Sequence, residues 1–179
     1  MKSDMNNRSS LTVREIALFG MLGALMFISK IAMDFLPNIH LIGMFTMLFT
    51  VVYRKKGLIP LTVFILIEGI FAGFSLWWIP YLYIWYILWG VTMLLPKRLS
   101  EKKFTLVYPL VCAAHGLLYG TLYAPAQALM FGLNFRQMLA WIAAGLPFDA
   151  LHAAGNFAAG FLILPLARLL RKLERNPQS

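Results

Sequence analysis

Long apolar segments divided by short basic clusters constrain this chain more than any other feature. The run "GLIPLTVFILIEGIFAGFSLWWIPYLYIWYILWGVTMLLP", residues 57–96, carries one charged residue, Glu68. A soluble domain of 179 residues has no need of a sequence that is 60% hydrophobic and 13% charged. The pattern predicts an all-α integral membrane protein of several helices. Hydropathy and helix breakers place six spans, at about 12–35, 39–54, 57–75, 77–95, 104–130 and 137–169. Each must supply roughly 20 residues to cross roughly 30 Å of hydrocarbon. The second and third are short unless their flanks join them. The last two are long and are expected to tilt, kink or project. Pro147 is expected to kink the sixth segment or to mark where its crossing begins. No repeat or linker divides the chain, so residues 1–179 read as one domain, with a polar tail over 1–11 and a basic tail over 170–179. The opening "MKSDMNNRSS" is polar, and no small-residue cleavage site follows the first apolar run, which is therefore read as a retained span. The single cysteine, Cys112, excludes an intramolecular disulfide and a cysteine metal cluster.

Charge sets the orientation. Lys2, Arg8 and Arg14 precede span one; Arg54, Lys55 and Lys56 join spans two and three; Lys97, Arg98, Lys102 and Lys103 join four and five; Arg168, Arg171, Lys172 and Arg175 follow six. That places fourteen of the sixteen basic residues on one side, the exceptions being Lys30 and Arg136. By the positive-inside rule both termini are cytoplasmic, in a multi-pass protein of the bacterial plasma membrane type. Topology and contact with anionic headgroups of the lipid bilayer account for the net charge of +9, and no nucleic acid is needed.

With that orientation, the polar residues inside the spans gather on the outer side: Lys30, Asp34, Asn38, His40, Glu68, Asp149 and His152, with Asn156 near mid-depth. His115, in the middle of span five, stands apart. Charge in a bilayer is costly, so such residues face a cavity or each other. A continuous ion path needs polar groups through the full depth, which the sequence lacks.

The stretch "PFDALHAAGN", residues 147–156, puts Asp149, His152 and Asn156 at i, i+3 and i+7, on one helical face. Two readings fit. Asp149 can be an acid in a first helical turn, paired with His152, while Asn156 bonds a neighbouring helix. Alternatively the face lines a ligand site. In "FSLWWIPYLYIWYILWG", residues 74–90, Trp77, Trp78 and Tyr81 suit an interfacial aromatic belt. Trp85 and Trp89 are too deep for a belt and are either core or the stacking wall of a pocket. In span one, Ala17, Gly20 and Ala24 share a face, with Gly23 adjacent. Gly20 and Ala24 form a small-xxx-small pair that lets another helix approach, within the protein or from a partner.

Taken together, six spans, cytoplasmic termini, this pair and the "PFDALHAAGN" segment resemble the substrate-binding S-component of an energy-coupling factor (ECF) transporter. The resemblance covers nearly the whole chain. It implies capture of a vitamin or related micronutrient from outside. It also implies docking, through Ala17, Gly20, Gly23 and Ala24, onto an ECF transmembrane coupling subunit that carries two ATPase subunits. Gly20 and Ala24 match the family's Ala-xxx-Ala pair, with Gly in the first place. The chain has no G-x-x-x-x-G-K-[ST] pattern, so ATP hydrolysis belongs to the partners and no cofactor is expected.

The expected ligand site draws on Asp34, His40, Glu68, Trp85, Trp89, Asp149, His152 and Asn156. Three acids, Asp34, Glu68 and Asp149, against one base, Lys30, favour a ligand with an amine, and the aromatic supply favours a heterocycle. Metal-specific members of the wider group are similar in carrying a histidine directly after the first methionine; "MKSDM" departs from that, and Asp149-x-x-His152 alone is too few ligands. Two other classes stay open: a stand-alone secondary transporter or channel, and an intramembrane enzyme using Asp149 and His152. The former predicts an inverted repeat or polar residues through the full depth; the latter lacks any H-E-x-x-H or G-x-S-x-G pattern.

Overall fold

A computed structural model describes residues 11–96 and 101–175, with the side chain of Glu101 excepted. Lys2, Arg8, Lys97 and Arg98, four of the charges behind the expected orientation, lie outside the described residues, as do residues 1–10 of the tail expected over 1–11 and 176–179 of that expected over 170–179. Everything described is helix, turn or loop, without a strand. The helices are α1 (Val13–Ala32), α2 (Ile42–Tyr53), α3 (Leu58–Ala72), α4 (Tyr81–Leu94), α5 (Glu101–Leu117), α6 (Tyr119–Phe131), α7 (Phe135–Gly160) and α8 (Ile163–Arg175), with 3₁₀ turns at Arg54–Gly57 and Leu76–Trp78.

Local chemistry fixes the helix starts. Thr12 caps α1 by accepting the Glu15 N–H, and Glu15 answers by accepting the Thr12 N–H, a reciprocal capping box. Asn134 and Gln137 do the same for α7. Ion pairs then tie α1 down at each end: Glu15 meets Lys56 in the 3₁₀ turn before α3, and Lys30 lies 3.2 Å from Glu68 near the end of α3. Between them Gly23 lets α1 and α3 touch. A Cβ there would fall 2.6 Å from Val63 and 2.8 Å from the Pro60 carbonyl, so only glycine fits without displacement.

Helix α2 is the centre of the molecule. Nine of its twelve residues, Ile42 to Thr50, are buried, and α4, α5, α7 and α8 pack around it. At about 1.5 Å per residue it is roughly 18 Å long, which bears out its reading as short. Helices α1 and α5–α6 (Lys102–Phe131) are long and apolar enough to cross a membrane, and α7 with α8 makes a third such segment if that bent pair is one span. The chain runs to and fro between two ends. One holds Arg54, Arg168 and Arg171; the other holds Lys30, His40 and Tyr119.

The two long segments each carry a local break. The sixth segment runs as helix through Pro147 and bends by 44° between Gly160 and Ile163. Pro165 explains the position: it has no N–H to give, and its ring crowds the carbonyl four residues back, at Phe161. The chain there tightens into turns in which the Phe161 and Leu162 N–H groups donate to Ala158 and Ala159 carbonyls. The fifth segment, expected as one span, is a single apolar stretch over Lys102–Phe131 with a local turn at Leu118 (φ −91°, ψ 0°). The basic tail expected from residue 170 is helical through Arg175.

Candidate functional site

At the Lys30 end the loop between α1 and α2 folds back over the helices. Successive i→i+3 backbone bonds, Leu36 N–H to Met33 and Ile39 N–H to Leu36, curl it. Asn38 turns it with φ 59°, in the left-handed region that asparagine tolerates better than most residues. The loop brings His40 in above α4 and α7. Beneath it lies a cavity of about 210 Å³, lined by Lys30, Asp34, Asn38, His40, Tyr81, Tyr119 and His152 among others. That is below the roughly 300–1,000 Å³ of drug-sized pockets, so it suits a small ligand.

Its walls are rings. His40 stands edge-on to His152 at 4.6 Å between centroids and to Trp85 at 5.6 Å. Tyr119 lies 4.9 Å from His152 and 5.7 Å from Trp85. Edge-to-face contacts at these separations are favourable in themselves. The polar atoms of the rings are less well served. His40 Nδ1, His152 Nε2 and Trp85 Nε1 are buried without a hydrogen-bond partner, as are Glu68 Oε1 and His115 Nδ1. Each such group costs about 1–3 kcal/mol when left unpaired. Of these residues His40 and His152 line the cavity, while Trp85, Glu68 and His115 lie outside its lining. Indole N–H offers only a donor, while each neutral imidazole offers one donor and one acceptor.

The eight residues expected to line a site separate into groups. His40, His152 and Asp34 line the cavity. Trp85, fully buried, forms a second layer behind His40, and Glu68 stands behind Lys30 and pairs with it. Trp89 is elsewhere: its indole N–H donates to the Arg54 carbonyl at 3.3 Å, near the other end of the molecule. Asp149 and Asn156 are buried but face backbone. Both Asp149 carboxylate oxygens accept the Gly120 N–H, at 3.0 and 3.2 Å. Gly120 is in the first turn of α6, where N–H groups lack helical partners, so Asp149 caps α6 just after the turn at Leu118. The expected Asp149–His152 pair is not among the hydrogen bonds. Asn156 donates to the Cys112 carbonyl at 3.2 Å, while its own Oδ1 stays unpartnered.

Lys30, Tyr81 and Tyr119 belong to the cavity but were not among the eight. Tyr119 had a signal, since His115 and Tyr119 sit at i, i+4 on one helical face. Tyr81 passed for a belt residue. Of the small residues of α1, Gly23 is buried against α3, whereas Ala17 is exposed and a Cβ on Gly20 would meet nothing within 4 Å. Gly20 and Ala24 are half-buried, and Gly23 is internal packing.

No protein-family model, curated protein or solved structure matches the chain.

Proposed function

We propose that this chain is the substrate-binding subunit of an ECF-type importer, a plasma-membrane protein of six spans with both termini cytoplasmic. Its cavity takes a small micronutrient-like ligand from outside, and the stripe Ala17, Gly20 and Ala24 on α1 docks a transmembrane coupling subunit that carries two ATPases. The observation that carries this reading is the cavity under the loop between α1 and α2, with unpartnered polar atoms of His40, His152 and Trp85 beside it, at the end away from the basic loops. Helices α2, α3 and α4 cross with the help of their flanking turns, since twelve to fifteen residues alone are short of the bilayer. Exposed apolar side chains such as Leu94, Leu129 and Ile70 suit a lipid-facing surface.

The chemistry of the cavity narrows the ligand. Lys30 is paired with Glu68, and Asp149 is held by Gly120, which leaves Asp34 as the lining carboxylate that meets an amine. The rings of His40, Tyr81, Tyr119 and His152 suit a flat heterocycle carrying both donors and acceptors. Mass spectrometry of small molecules retained by the purified protein tests this. A small aromatic amine or related heterocycle, whose addition quenches tryptophan fluorescence, is expected. Protein that retains nothing and binds no such compound defeats the reading. Uptake into vesicles containing this chain alone, without ATPases, would make it a stand-alone transporter.

A further inference from the structure

A second cavity, larger than the one under the loop between α1 and α2, lies at the opposite end of α2. It measures about 410 Å³ and is formed where the ends of α2 and α4 meet α5 and α8. Three arginines line it, Arg54, Arg168 and Arg171, together with the aromatic rings of Phe104 and Tyr108 and the apolar Leu164. Among the described lining residues none carries a carboxylate.

The fold holds two of these arginines by deliberate geometry. Arg54 ends α2 with φ 55°, a left-handed conformation that a side chain rarely adopts, and its guanidinium donates to the Met93 carbonyl at 2.9 Å. Arg171 reaches from α8 to donate to the Val51 carbonyl at 3.0 Å. Each of these bonds uses one terminal nitrogen of a group with five N–H donors. Arg168 precedes Arg171 by three residues, so the two share a face of α8. Like charges gathered in a cleft with apolar walls focus a positive field into it.

We propose that this cavity binds a phosphate group. A guanidinium fork matches phosphate oxygens two at a time, which a point charge does not. The apolar and aromatic walls accommodate whatever hydrocarbon the phosphate carries. Two sources share this chemistry, the headgroup of an anionic phospholipid and free inorganic phosphate. The site is independent of the importer reading.

The full chain, purified in detergent, is compared in phosphate and in chloride at matched ionic strength by thermal shift. The same protein is placed in nanodiscs of phosphatidylglycerol mixed with phosphatidylcholine, and retained lipid is read by native mass spectrometry. A phosphate-specific shift, or selective retention of phosphatidylglycerol, is expected. Either should weaken about tenfold in Arg168→Gln/Arg171→Gln protein, the loss expected when charge-assisted hydrogen bonds go. Arg171→Lys keeps the charge but not the fork and should weaken binding less. Arg171 also supports Val51, so wild-type protein provides a second readout: phenylglyoxal modification of Arg168 and Arg171 should slow with phosphate or anionic lipid, relative to exposed Arg136. Effects confined to the nanodisc identify a phospholipid, and effects of inorganic phosphate alone identify a soluble anion. No shift, no retained lipid and no protection overturns the proposal, as does binding undiminished in a folded double variant.

Discussion

Asp149 and Asn156 sit on the same face of α7 as His152, yet the two regions they define behave oppositely. In the seam where α7 meets α5 and α6, polar groups reach backbone: Asp149 accepts the Gly120 N–H and Asn156 donates to the Cys112 carbonyl, although the Asn156 Oδ1 stays unpartnered. Glycines let the helices close. A Cβ on Gly160 would lie 2.5 Å from Pro109 Cα, and one on Gly116 would lie 3.0 Å from the Ala153 backbone. At the cavity, polar atoms are equally buried, but His40 Nδ1 and His152 Nε2 have no partner, and both residues line the cavity. A buried polar group that answers its neighbour braces a fold, and one left unanswered beside a cavity is set up for a ligand.

The largest effect should come from closing the seam. Gly160→Leu forces a side chain onto Pro109 backbone, which cannot move aside as a flexible side chain would. Overpacking of this kind costs about 1–3 kcal/mol and occasionally more, so folded protein should be sharply reduced in size-exclusion and melting experiments. Wild-type melting would mean that the helices are not in contact there. Asp149→Ala should be next, because it leaves the Gly120 N–H buried and unpaired, a loss of about 1–3 kcal/mol of stability. Its affinity for the compound retained on purification should be unchanged; weakened binding in well-folded protein would move Asp149 from the seam to the site.

His152→Phe reverses that pattern. It keeps the ring and removes the nitrogens, so melting should hold while affinity falls about tenfold, equivalent to roughly 1.4 kcal/mol. If melting drops and affinity holds, His152 belongs with the seam. The two tryptophans give a smaller contrast. Trp85→Phe should weaken binding severalfold, at the low end of aromatic effects of about 0.5–1.5 kcal/mol, and Trp89→Phe, at the other end of the molecule, should leave it unchanged. Equal responses would erase the distinction between second layer and remote core. Gly20→Leu should do least to the isolated protein, since its new side chain enters open space. Binding and melting should be unaltered while uptake with the coupling subunit and ATPases falls; unaltered uptake removes the docking role of α1.

Much of the architecture was legible in the chain. Helical class, the shortness of the second segment and the separation of a basic end from a polar end all follow from residue type and order. His40, His152 and Asp34, which line the cavity, were legible because polar groups stand out in an apolar run. Tyr81 and Tyr119 were harder, because an aromatic residue in such a run is equally at home in core, belt or pocket. The bend between Gly160 and Ile163 was hard to place for a related reason. Pro147 and Pro165 look alike in sequence, but α7 continues as helix through the first and ends just before the second.

By itself, then, the sequence determined that this chain forms apolar helices, where its charges gather and which few polar residues need an answer. Those are properties of single residues and of near neighbours on one helix, and the cost of placing each in an apolar medium is largely local. Only the tertiary structure decided which answer each received. Asp149 meets Gly120 across 29 residues and Asn156 meets Cys112 across 44, while His152, on the same face between them, meets His40 across the cavity. Spacing along α7 makes the three equivalent; the helices and loop that pack against each turn make them different.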